Sequence, residues 1–285
     1  MKGKCRLYGI ETELKKSHIV PKFAFDYMKK TGGRFLRGYE NPNKRIQDGI
    51  KKRLLGEKAE QEFSKRERWF TNNIFFPYLT KNQQKFNYDE NFAYFIISVL
   101  WRVILDHLDN PLSDPKKLNF LYEVVDEWRE FLTESKYPRN YNDLNVMLTD
   151  RLSSHTTNFQ NADLYMSRYI DATIIVNDDY STVGVYVKFL RFMFWSILKG
   201  KPTEGENIKV QFNPSVLNLP QVVKDNYFGG FIFNRIKLID NGPEVSEAQQ
   251  RKIAEEIIKN ENSFWNTDAG KSMLNDYKLR KEASG

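Results

Sequence analysis

The sequence predicts an α+β fold, mostly helical, in which a small hairpin-and-helix module leads into a larger helical region with a few strands. Three observations carry this. Apolar residues recur at helical spacing over 90–109 and again after Asp114-Pro115. β-Branched and aromatic residues crowd 172–190. Gly9, Pro21 and Gly32-Gly33 cut the first 35 residues into short pieces. The 285 residues leave room for two domains, and 40% hydrophobic with 14% aromatic content supplies a core. That composition excludes intrinsic disorder. The expected boundary lies near 80–90, between a basic module (1–80) and a predominantly helical domain (81–285) with strands between about 140 and 240.

Taken in order, residues 1–16 read as a hairpin that turns through Cys5-Arg6-Leu7-Tyr8 and Gly9. Pro21 sits where a first helical residue belongs, because its missing N–H costs nothing there. Gly32-Gly33 ends that helix. Residues 34–49 read as a loop around Asn41-Pro42-Asn43, and 50–55 as a short strand. Residues 57–74 should be helical and stop at Pro77; Ser64 and Glu67 match a capping box or are a chance pair inside one long helix. Residues 90–109 form the clearest helix, with a wide apolar face. Asp114-Pro115 caps another, which carries Leu118, Leu121, Val124 and Trp128 on one side. Residues 172–176, 183–190 and 209–212 read as strands, or the second runs into a helix at 189–198. Gly229-Gly230 marks a turn, and Ser246 opens a helix to about Asn260.

The single cysteine, Cys5, excludes an internal disulfide framework and any Cys-rich metal cluster within the chain. Three histidines (His18, His107, His155) leave few transition-metal ligands, and no metal site is expected. Residues 2–16 are basic and polar, so no apolar signal segment is expected. The longest apolar stretch is about ten residues, too short to span a bilayer. A cytoplasmic protein with no membrane partner is the expectation.

Charge is uneven. Residues 1–90 hold 21 Lys and Arg against 11 Asp and Glu, while the rest of the chain is slightly acidic. An excess of ten positive charges in the first third points to an anionic partner there, nucleic acid first. The candidate contacts are Lys15, Lys16, Lys22, Lys29, Lys30, Arg34, Arg37, Lys44, Arg45, Lys51, Lys52 and Arg53, and the partner is DNA or RNA. With no recognition helix in view, no base-specific reading is expected.

The same segment has a layout. Cys5-Arg-Leu-Tyr8 stands where a C-x-x-C knuckle would stand, Ser17-His-Ile-Val-Pro-Lys22 follows, and Leu54-Leu-Gly-Glu-Lys-Ala-Glu60 comes later. With cysteine restored at 8, 56 and 59, the pattern resembles the treble-clef zinc domain of HNH-type endonucleases and their bacterial relatives, over roughly residues 4–75. The resemblance implies a treble-clef-like module, with His18 as the general base that activates water and Glu60 near a divalent metal. Mg²⁺ or Mn²⁺ would be the cofactor only if the protein cleaves; otherwise none is expected. The departures matter. Ser17 replaces an acid and three of four zinc ligands are gone, so the expected form is a degenerate, metal-free module that packs around Tyr8. HNH-type domains often occur in bacterial defence against phage, and the resemblance carries that expectation.

The other residues read more plainly. Cys5 is a small buried hydrophobe. His18 otherwise suits a hydrogen-bonded structural role at the turn into the Pro21 helix, and that role is favoured. His107, ending an apolar helix, complements its dipole. Trp69, Phe70, Phe75 and Phe76 near Arg66 and Arg68 suit either base stacking or a core face, and core is favoured. Three functions remain: a nucleic-acid-binding or accessory protein, a metal-dependent nuclease using His18, and a protein–protein module working through the aromatic-rich C-terminal region.

Overall fold

The structure is a computed structural model that describes residues 1–33, 36–111, 114–153 and 159–283. Arg34 and His155 lie outside them. The fold is α+β.

The N-terminal hairpin pairs β1 (Lys2–Lys4) with β2 (Glu11–Glu13). Gly9 closes its turn at φ +69°, a left-handed conformation that favours glycine. Next come β3 (Ser17–His18), α1 (Lys22–Lys30), β4 (Leu36–Arg37), β5 (Arg45–Ile46) and β6 (Lys51–Lys52). Pro21 is the N-cap of α1 and not its first residue. The expected loop at 34–49 contains the short β4–β5 pair, and β6 returns to lie against β3.

The helix after the module does not stop at Pro77. α2 (Glu57–Phe70) runs into a π-helical turn (Thr71–Phe75) and then α3 (Phe76–Lys81). Pro77 is tolerated because it sits in the first turn of α3. Ser64 and Glu67 are therefore interior residues of α2. β7 (Lys85–Tyr88) precedes α4 (Glu90–Asp109), whose Asp89 cap accepts from the Asn91 amide at 3.0 Å. α4 is long and apolar enough to cross a membrane, but 83% of its apolar window is buried inside the fold. It is the core helix. His107 near its end is buried, which pushes the imidazole pKa down and works against the charged form that would complement the dipole.

After a 3₁₀ turn (Pro115–Leu118), α5 (Leu121–Glu134) packs on α4, and β8 (Leu144–Leu148) and α6 (Ala162–Arg168) lead to the main sheet. β9 (Ile170–Val176), β10 (Val183–Phe189) and β11 (Phe192–Lys199) complete it in the antiparallel order β8-β11-β10-β9. Residues 189–198 are thus strand around a turn at 190–191, and not helix. Leu190, at φ +53°, turns the chain between two runs too rich in β-branched and aromatic residues to favour a helix. Residues 209–212 form only a bridge, Asn145 to Lys209.

Three small strands follow: β12 (Gly205–Glu206), β13 (Ser215–Asn218) and β14 (Val222–Val223). α7 (Asn226–Asp240) contains Gly229-Gly230 in its interior, not at a turn; Asp225 caps it by accepting from the Tyr227 amide at 2.8 Å. α8 (Glu247–Lys259), α9 (Glu261–Phe264) and α10 (Asp268–Ala283) end the chain. Asp276 of α10 accepts the Asp163 and Leu164 amides at 2.8 and 2.9 Å, which ties α10 to α6.

The sheet is covered on both faces. α4 lies on one, and Phe228 of α7 stacks on Trp195 at 4.0 Å on the other. Phe70 stacks on Phe95 at 4.2 Å and meets Phe192 and Phe194 edge-on. Phe23 of α1 reaches the same cluster, 5.6 Å from Phe189. Apolar side chains from both sides of residues 80–90 therefore share one core. Phe70→Ala should cost about 3–5 kcal/mol in urea unfolding, while the half-exposed Phe76→Ala should cost under about 1 kcal/mol.

Candidate functional site

Cys5 and Arg6 meet the segment that starts α2. Cys5 Sγ accepts from the Gly56 amide at 3.4 Å, and the Arg6 amide donates to Leu54 O at 2.9 Å. A Cβ on Gly56 would come 2.5 Å from Thr12 Cγ2, so a larger residue there would have to push the Thr12 side chain aside. Ala59 is fully buried, and Lys58 Nζ sits 4.6 Å over the Tyr8 ring. Packing fills this corner, with Cys5 as a buried hydrophobe as expected.

His18 and Glu60 have separate partners. His18 Nε2 lies 2.9 Å from Asp48 Oδ2, close enough for charge pairing although off the line of a hydrogen bond. Glu60 accepts from the buried Ser17 hydroxyl. The His18 carbonyl accepts from Arg102 Nη1 at 2.9 Å, while Arg102 Nη2 donates to Glu67 at 3.0 Å and Nε to Ser98 O at 3.1 Å. Burial pushes the Glu67 carboxyl up, and Arg102 restrains it. For Asp48 the balance is opposite. Burial alone would raise its pKa, but Lys51, the nearby His18 ring and the hydrogen bond from the Gly49 amide hold it down at about 2. Sequence reading missed Asp48; the only signal is the Asp48-Gly49 turn dipeptide. Among the described residues, no group of three or more His, Cys, Asp or Glu is placed to hold a metal ion.

The eleven basic candidates among the described residues do not form one free surface. Lys15 pairs with Glu57 at 2.9 Å, Lys22 and Lys29 share Asp26, Lys51 pairs with Asp48 at 2.8 Å, and Lys52 with Asp106 at 2.6 Å. Arg53 donates to Leu14 O, and Arg37 to Pro42 O and Gln249. The run Lys51-Lys52-Arg53 therefore holds the module together, because side chains alternate along an extended segment and reach different partners. Arg45 is exposed in β5. Lys16, Lys30 and Lys44 are exposed, with no carboxylate at ion-pair distance among the described residues. Phe70 and Phe75 are fully buried and unavailable for base stacking.

A cleft of about 700 Å³ opens beside Asp48. Its walls come from the module (Ile19, Phe25, Tyr39), from α4 (Val103, Asp106), from residues 168–172 and from α7 (Arg235). Arg235 grips Asp171 through two bonds of 2.7 and 2.8 Å. Behind this wall Tyr165 donates to Asp171, and the fully buried Lys188 sits over the Tyr165 ring; burial lowers its pKa to about 7. Of the residues around this cleft, sequence reading singles out only Arg37, as a basic contact and not as part of a cleft.

Searches with family models, against curated proteins and against solved structures find no match to this chain.

Asp48 gives a test with a definite sign. Its folded pKa lies below the model-peptide value of 3.8, so its stabilisation is present above that pH and is lost as pH falls through about 2. Asp48→Asn should cost about 2 kcal/mol in urea unfolding at pH 7, with the gap to the native chain closing as pH falls toward 2.

Proposed function

We propose that this chain is a nucleic-acid-binding or accessory protein whose N-terminal module works without metal. The observation that carries the reading is the charge excess of residues 1–90, with Lys16, Lys30 and Lys44 exposed to receive phosphates. The resemblance to a degenerate HNH-type module agrees with it, as does the packed corner where Cys5 faces Gly56. A role in bacterial phage defence follows by analogy with that family.

The nuclease alternative needs His18 beside a hard divalent cation held by carboxylates. The donors do not fit such an ion well. Asp48 is engaged by Lys51 as well as His18, and Glu60 is engaged by Ser17. The protein-partner alternative draws on α8, which buries none of its residues and exposes Ile258.

The test is DNA and RNA binding by fluorescence anisotropy between about 50 and 300 mM salt, with EDTA or with Mg²⁺ or Mn²⁺, and with product sizes checked by gel. Binding should weaken steeply with salt, survive EDTA and leave the strands intact. Replacing Lys16, Lys30 and Lys44 with Glu should cut the log–log salt slope by about 2–3. Metal-dependent cleavage lost in His18→Ala would favour the nuclease instead. Absence of binding at low salt would move the search to protein partners.

A further inference from the structure

The cleft beside Asp48 has an unbalanced set of charges. Each of its carboxylates is matched: Asp171 by Arg235, Asp106 by Lys52, and Asp48 by Lys51 and His18. Two of its arginines are not. Arg37 donates to Pro42 O and to the Gln249 amide oxygen. Arg168, itself buried, donates to Thr31 Oγ1 at 2.7 Å and to Met28 O at 2.8 Å. All four acceptors are neutral. Among the described residues no carboxylate lies at ion-pair distance from either guanidinium, and Asp268 acts on Arg168 only from farther off. A buried guanidinium whose partners are all neutral, at the wall of an open cleft, has charge-assisted bonding left to offer an anion.

The rest of the lining is apolar and partly aromatic. Ile19, Ile50 and Val103 form smooth wall, and the rings of Phe25, Tyr39 and Tyr169 line the same space. The volume falls within the range of about 300–1,000 Å³ that holds small molecules. A ligand that fits both features has a flat ring and a negative group. We propose that the cleft binds a single nucleotide, with its base among Phe25, Tyr39 and Tyr169 and its phosphate at Arg37 and Arg168. The choice of a nucleotide over another aromatic anion rests on the nucleic-acid reading above. A free nucleoside monophosphate and the 5′-phosphorylated end of a strand share this chemistry.

Calorimetric titration tests it, with the four ribonucleoside monophosphates, adenosine alone and inorganic phosphate as probes. At least one monophosphate should bind with Kd below about 1 mM, and adenosine and phosphate should each bind at least about tenfold more weakly. Two variants locate the site. Arg37→Gln should weaken binding about tenfold or more. Gly38→Trp should abolish it; Gly38 lines the cleft, and a Cβ there meets nothing within 4 Å, so the variant should keep the native melting temperature. Arg168 is left intact because it also ties α6 to α1. Competition by a 5′-phosphorylated pentanucleotide, but not by its 5′-hydroxyl form, assigns the site to a strand end; competition by neither assigns it to the free nucleotide. No monophosphate binding at about 5 mM, or binding unchanged in both variants, overturns the proposal. If polymer binding persists in that case, the cleft alone is wrong. If monophosphates bind and polymers do not, the cleft stands and the polymer reading falls.

Discussion

The buried guanidinium of Arg102 fastens the N-terminal module to the core helix. It donates to the His18 carbonyl from the module, to Glu67 from α2 and to Ser98 within α4. Three elements far apart in sequence thus share one cation. A buried charge of this kind adds little net stability over an apolar replacement, but removing one partner leaves the others exposed to a full desolvation penalty. Its value is positional. It sets where β3 leaves the hairpin and so where His18 meets Asp48.

Around that anchor the module is held by packing. Cys5 faces the Gly56 amide, Phe23 plugs into the aromatic cluster, and Lys51 and Lys52 close onto Asp48 and Asp106. Many of the basic residues are therefore half structural. Those in ion pairs steer an anion less than their number implies, because each carboxylate cancels much of its partner's field. Lys16, Lys30 and Lys44 keep theirs. The same count singles out the cleft, where Arg37 and Arg168 meet only neutral acceptors.

Much of the fold was legible in the sequence where a signal was local. The wide apolar pattern marked α4, and Gly9 marked the hairpin turn. The errors came where tertiary packing overrode local chemistry. Gly229-Gly230 reads as a turn, yet α7 continues through it because Phe228 and Ile236 are buried against the sheet and α6. Pro77 reads as a stop, yet the π-helical turn before it lets the helix resume. The site was less legible. His18 and Glu60 stood out by motif, but Asp48, Arg102 and Arg168 are single residues made meaningful only by partners at long range. No spacing rule connects residue 18 to 102 or 31 to 168.

Hydrogen exchange on the chelated protein, comparing the native chain with Arg102→Met, tests the account most directly. It predicts that the amides of Cys5, Leu14 and Gly56 are protected without metal in the native chain. In Arg102→Met those amides should lose protection while the amides of β10 and β11 keep theirs. Equal protection of the module in both chains would contradict the anchoring role of Arg102, and protection that appears only with added zinc would contradict a module held by packing.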